Sequence, residues 1–246
     1  MTAKKDWFVD WFNSPYYHIL YKNRDDKEAE TFLKNLSRNL GFHKDHKILD
    51  LACGKGRHSI YLNQKGYTVT GLDLSEENIK EASQFANETL QFHVHDMREV
   101  YPAKFHFILN LFTSFGYFNC LDENLKVLNA CKQMLDWDGR LVIDFLNADL
   151  LKKSLVPQET KTIQGISFHI GKTITNGVIE KCIRFSDMGR DFEFSEQVQV
   201  LTLADFRKLF ASAGFELINT FGDYKLNPYQ PDSSPRLILV AKSNAR

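Results

Sequence analysis

Residues 48–59 read ILDLACGKGRHS. An apolar run closes on Asp50, and Gly54 and Gly56 follow within six positions. That order predicts a buried strand, a tight turn and then a helix. It is the arrangement by which an open parallel sheet offers backbone groups to a nucleotide-like ligand. The alternation continues on the C-terminal side. HKILDLA, YTVTGLDLS, LQFHVHD, FHFILNLF and RLVIDFLN read as strands. GRHSIYLNQKG, EENIKEASQFANET and DENLKVLNACKQMLDWDG read as helices. Near-continuous apolar strands separated by amphipathic helices predict a parallel sheet covered on both faces.

The rhythm breaks after Asn147. TKTIQGISFHIGKTI, NGVIEKCIRFSD and DFEFSEQVQVL are strand-like, with hairpin signals at Asn176-Gly177 and Met188-Gly189. They predict a three-stranded antiparallel insert, reached through a weakly periodic linker at about 147–160. A helix, TLADFRKLFASAG, and two strands, FELINTFGDY and PRLILVAKS, then resume the α/β pattern. Ahead of the turn, residues 1–23 are rich in aromatics. Residues 25–40 place Ala29, Phe32, Leu33, Leu36 and Leu40 on one helical face. The expected organisation is an N-terminal helical lid over 1–40, an α/β domain over 41–147 and 202–246, and the β insert over 148–201 as a cap or homodimer surface.

Bulk composition narrows the partners. Lys+Arg and Asp+Glu balance at 31 each, so the chain lacks the basic excess that drives nucleic-acid binding. Four scattered cysteines fit a reducing cytoplasm. No apolar stretch is long enough for a signal peptide or a membrane span. His93 and His95 share a strand face, but no third ligand has metal-site spacing, so no metal is expected.

Three acids stand where strands end: Asp50, Asp73 and Asp96. Asp73 lies 19 residues after Gly54 (73 − 54), within reach of ribose hydroxyls. A dinucleotide-binding dehydrogenase, the main alternative, needs a third glycine where this chain has Ser59. Its pyrophosphate would also lie against Asp50, charge against like charge. A ligand with an ammonium and a sulfonium but no phosphate suits Asp50 better, which describes S-adenosylmethionine.

ILDLACGKGRHS, GLDLS, FHVHDM and FHFILNLFTSFGYF resemble the successive motifs of class I S-adenosylmethionine-dependent methyltransferases. The resemblance implies a Rossmann-like, doubly wound seven-stranded sheet in the order 3-2-1-4-5-7-6, its last strand antiparallel. It implies that the loop Asp50–Gly56, with Ala52, Cys53 and Gly54, holds the methionine end of the cofactor. Asp73 would take the ribose, Leu74 would face adenine, Asp96 the adenine amino group, and the Met97 N–H the ring. Asn110 and Leu111 would face the transferable methyl. YYHILYKNRDDKEAETF resembles the lid helices of small-molecule N- and O-methyltransferases, which implies cofactor roles for Tyr21 and Arg24.

The acceptor is less marked. Phe112, Phe115, Tyr117 and Phe118 suggest an aromatic entrance for a small-molecule N or O acceptor. Tyr224, Tyr229 and Arg236 would approach the same mouth. No general base has diagnostic spacing; His18, Tyr117, Asp144 and His169 are the candidates. A protein that binds the cofactor without catalysis is the remaining alternative.

Overall fold

The computed structural model describes residues 7–21, 26–118 and 120–244. In chain order the elements are α1 (Trp7–Phe12), α2 (Pro15–Leu20), α3 (Asp26–Asn39), β1 (Lys47–Leu51), α4 (Arg57–Gln64), β2 (Thr68–Asp73), α5 (Glu76–Ala82), β3 (Leu90–Val94), β4 (Phe105–Asn110), α6 (Leu121–Met134) and β5 (Leu135–Leu146). They continue with α7 (Ala148–Ser154), β6 (Gln158–Ile163), β7 (Ile166–Thr175), β8 (Val178–Asp187), β9 (Arg190–Gln199), α8 (Leu203–Ala213), β10 (Phe215–Phe221) and β11 (Arg236–Ser243).

Among the described residues, seven strands form one sheet in the order β10-β11-β5-β4-β1-β2-β3. Pairing is parallel from β5 to β3, while β11 runs antiparallel to both β5 and β10. Renumbered without the insert, this is the 3-2-1-4-5-7-6 order with its last strand reversed. The central strands are buried on both faces, as their apolar runs require: Ile48, Leu49, Ile108, Leu109, Leu239 and Val240 are fully covered. One core lies under α6 and α8, the other under α3 and α4.

The second sheet is four-stranded, β6-β7-β8-β9, rather than three-stranded. TKTIQGISFHIGKTI divides because Gln164 and Gly165 both adopt positive φ, 53° and 83°, and turn the chain in a two-residue hairpin. Asn176-Gly177 and Met188-Gly189 make the two expected hairpins in the same way. Two further boundaries differ from expectation. The linker after Asn147 forms α7, because the Asn147 side chain accepts from the N–H groups of Asp149 and Leu150. The helix read through DWDG stops at Met134, and LDWDG enters β5.

Alternation fixes the faces of the insert. Ile166, Phe168 and Ile170 on β7 and Ile183 and Phe185 on β8 are buried; Ser167 and His169 point outward and are exposed. The chain's own N-terminal helices cover that apolar face. Trp11 packs on Phe194 with ring centroids 4.6 Å apart, and Tyr16 on Phe185 at 4.5 Å. Trp11 and Leu20 share a cluster with Ile166, Phe168, Ile170, Ile183 and Phe185. That apolar face of the insert is therefore covered within the chain. No helix among the described residues is long and apolar enough to cross a membrane.

Candidate active site

The turn after β1 is built by backbone conformation. Ala52, Gly54 and Gly56 have φ of 61°, 55° and 79°. At Gly56 a Cβ would stand 2.6 Å from the Phe92 ring, so the position requires glycine on two counts. Asp73, closing β2, fastens the turn from the neighbouring strand. Its Oδ2 accepts the Gly54 N–H at 2.8 Å, and its Oδ1 accepts the Ser75 N–H at 2.9 Å. Burial raises its pKa, opposed by those two bonds.

Asp50 lies beneath the turn, 1% exposed, and does not line a cavity. Burial pushes its carboxyl up to about 6, although Ser59 Oγ donates to Oδ2 at 2.6 Å. Ser59, standing where a third glycine was looked for, thus serves as the hydrogen-bond partner of the buried acid.

Above the carboxyl ends of β1, β2 and β3 opens a cavity of about 380 Å³. Ala52, Cys53, Gly54, Asp73 and Leu74 line one part of it. Asp96, Met97, Leu111, His18, Tyr21 and Phe118 are also in its lining. Gly56 and Asn110 lie outside the lining. Asn110 gives its Nδ2 to Leu51 O at 3.0 Å, while its buried Oδ1 has no partner among the described residues. Arg24 falls outside the described residues.

Asp96 is gripped by Arg98, whose Nε and Nη2 reach it at 3.0 and 2.6 Å; Arg98 Nη1 reaches Glu123 at 2.8 Å. Burial pushes the Asp96 carboxyl up, but the Arg98 bonds outweigh it and hold the pKa low. The two-residue spacing of Arg98 from Asp96 is a legible signal in the sequence for such a fork.

A larger cavity of about 920 Å³ lies alongside, between α3, the insert and the β5 and β11 ends. Five aromatics, Phe12, Tyr17, Tyr21, Phe112 and Tyr117, line both cavities, so the two meet along them. Tyr224 and Arg236 line the larger one. Tyr229 does not; its hydroxyl is spent on Asn147 at 2.9 Å. Phe115 is no entrance residue either, being fully buried against Phe206.

The base candidates separate. His169 is exposed on the outer face of the insert, bonded to Thr160 and lining neither cavity. Asp144 is fully buried and fully engaged: Oδ2 accepts from Phe112 N at 3.1 Å and Tyr224 Oη at 3.0 Å, and Oδ1 from Arg236 Nε at 2.8 Å. Its work is positional. Phe112 and Thr113 both hold positive φ, 59° and 64°, and Asp144 binds the backbone of each. His18 and Tyr117 face the cavities. Burial lowers the His18 pKa, with Lys55 adding to it, so the ring is neutral at pH 7.

Lys181 and Glu196, across from one another on β8 and β9, also line the larger cavity. Counting back from the Met188-Gly189 turn pairs them, so the sequence carries a signal for this contact.

A family described as a methyltransferase domain matches residues 48–139. The chain is 30% identical over 239 residues to the glycine/sarcosine N-methyltransferase of Aphanothece halophytica, covering 92% of this chain and 85% of that one. It is 23% identical to a Streptomyces venezuelae dTDP-3-amino-3,4,6-trideoxy-alpha-D-glucopyranose N,N-dimethyltransferase, over 69% of this chain and 75% of that one. The crystal structure of an S-adenosylmethionine-dependent methyltransferase from Clostridium acetobutylicum superposes with a TM-score of 0.79 at 18% identity, over 94% and 96% of the two chains.

Proposed function

The chain belongs to the class I S-adenosylmethionine-dependent methyltransferases; on that premise we propose that the smaller cavity takes the cofactor and that the larger one takes a small molecule methylated on nitrogen. The observation that carries this is the pair of cavities meeting along one aromatic wall. Their volumes fall within the range of small-molecule sites. The nitrogen assignment is supported by the relative that acts on glycine and sarcosine.

The residues present suit S-adenosylmethionine, which supplies a methyl group already activated for displacement. Asp73 accepts the two N–H groups of the turn and a bond from the Asn78 side chain, and its carboxylate keeps capacity for a ribose hydroxyl. Leu74 and Met97 supply apolar surface for adenine, and Asp96, held ionised by Arg98, accepts its amino group. At Gly54 no atom stands within 4 Å of where a Cβ would be, so the backbone is open to a ligand. The buried Asn110 Oδ1 has acceptor capacity left for a donor. Asp50 provides negative charge under the turn, which favours an ammonium and disfavours a phosphate. Phe112 and Tyr117 wall off water where the two molecules meet, and orientation then does most of the work. Free thiols at Cys53, Cys120, Cys131 and Cys182 support a cytoplasmic location.

The test has two stages. Calorimetric titration with S-adenosylhomocysteine should show saturable binding; none at millimolar ligand overturns the cofactor placement. Methyl-labelled cofactor should then label amines and spare the matching alcohols. Label confined to the alcohols overturns the nitrogen assignment.

A further inference from the structure

A buried polar network stands behind the wall that the cavities share. Glu196 and Lys181 side chains are 16% and 14% exposed and 3.3 Å apart. Glu196 accepts from Trp11 Nε1 at 2.6 Å and from Tyr21 Oη at 2.6 and 2.8 Å to its two oxygens. Lys181 Nζ donates to Tyr21 Oη. The single hydroxyl proton of Tyr21 is thereby committed to Glu196, so toward any further partner its oxygen acts only as an acceptor. Tyr21 lines both cavities, and Phe12, Tyr17, Phe112 and Tyr117 complete the wall. Ring faces and a carboxylate in one low-dielectric place favour a cation, and the chain's own cations already take part of that place: Lys181 Nζ stands 4.6 Å from the centre of the Tyr21 ring and Arg57 Cζ 4.6 Å from that of Phe112.

An amine that accepts a methyl group becomes an ammonium. The new N–C bond would form from the lone pair of the unprotonated nitrogen as the bond from the methyl to the sulfonium sulfur breaks and its electron pair goes to sulfur, so positive charge leaves sulfur and grows on nitrogen. A hydroxyl acceptor sheds its proton and retains no charge. Groups that favour positive charge at the acceptor atom therefore act more strongly in the transition state than before it, and only for amines.

We propose that the shared wall is an ammonium subsite, in which the aromatic faces and Glu196 stabilise positive charge on the acceptor nitrogen and Tyr21 positions it. This rests on the two-cavity reading above and adds the chemical class that the larger cavity selects. Lys181 is the resident competitor: its ammonium already stands against Glu196, while burial lowers its pKa and Glu196 opposes that shift.

Choline and its neutral isostere, with carbon in place of the quaternary nitrogen, have one shape and differ in charge. Both are titrated calorimetrically into the full chain saturated with S-adenosylhomocysteine. Choline should bind about tenfold more tightly than the isostere. Glu196→Gln, which keeps an oxygen for Trp11 and Tyr21, should remove most of that difference. Lys181→Met should increase choline affinity, because it removes the competitor. Equal binding of the two probes, or none of either, overturns the proposal. So does Glu196→Gln leaving the difference intact, or Lys181→Met weakening choline as much as Glu196→Gln does, since a merely structural network would lose affinity either way. Failure of S-adenosylhomocysteine to bind at the outset instead overturns the cofactor placement on which the proposal rests.

Discussion

The turn after β1 and the junction of lid and insert hold opposite sides of the same site by different physical means. The turn is local and made of backbone. Its tie to the neighbouring strand, Gly54 N–H to Asp73, spans 19 positions, and its shape depends on positive φ. The junction is made of side chains far apart in sequence: Trp11 to Glu196 spans 185 positions, and Tyr16 to Asp187 spans 171. A backbone turn has few ways to vary, which suits a cofactor that never changes. A wall of aromatic and polar side chains can be rebuilt one residue at a time, which suits an acceptor that differs between enzymes.

If the two regions are separate structural units, damage to one should spare the other. Phe168→Ala removes a fully buried ring from the insert, at an expected cost of about 3–5 kcal/mol. Hydrogen exchange should show lost protection in β7, β8, α1 and α2, with β1, β4 and β11 unchanged. Uniform loss across both sheets would instead make the lid, insert and main sheet a single cooperative unit.

Asp50 sharpens the other side. Its folded pKa of about 6 lies above the unfolded value, so the contribution of Asp50 to the unliganded fold is fully present at low pH and is lost as pH rises through about 6. The penalty at pH 7 is at most about 3 kcal/mol. Asp50→Asn should remove it, raising the urea midpoint at pH 7.5 and flattening its pH dependence, while weakening S-adenosylhomocysteine. A variant that is less stable at pH 7.5 would mean that the Ser59 bond outweighs burial.

Asp73→Ala removes the fastening of the turn and the oxygens proposed to accept the ribose hydroxyls. Calorimetry should show S-adenosylhomocysteine binding weakened by about 2 kcal/mol, roughly thirtyfold. The choline-over-isostere preference should persist at saturating cofactor analogue, because Glu196 and Lys181 do not line the smaller cavity. Its loss would show that turn and junction are coupled.

The same contrast explains what the sequence made legible. The alternation of strands and helices, the turn and the place of Asp73 follow from apolar periodicity and glycine spacing, which act over short range, whereas the strand order is what the family resemblance implies. Gln164-Gly165 carries no strong hairpin signal because glutamine is not a usual left-handed residue, and only the cross-strand partners of β6 justify that backbone. Asp144 read as a free acid because nothing near it in sequence announces Arg236, 92 positions later. Packing of the N-terminal aromatics on the insert is likewise a tertiary event: Trp11 and Phe168 each show an apolar side chain, and neither shows its partner. Ser59 was noticed as a missing glycine, while its service to Asp50 required the fold.

The smallest expected effect lies at the opposite end of the sheet and serves as a control on both regions. His46 Nδ1 accepts the His43 N–H at 3.1 Å, and its ring stacks on His106 at 4.6 Å. Burial lowers the His46 pKa, with the neighbouring His106 and His43 adding to it. Protonation is thus easier in the unfolded chain, so this group leaves stability intact above pH 6.5 and erodes it as pH falls below. The erosion is small, because solvent screens the charge of a ring at the surface. His46→Gln should lessen the fall in urea midpoint between pH 7.5 and 5.5 and leave S-adenosylhomocysteine and choline binding unchanged. A change in either affinity would mean that the amino ends of the strands communicate with the cavities above their carboxyl ends. Cofactor turn and acceptor wall would then be two outlets of one sheet-wide strain rather than two independent constructions.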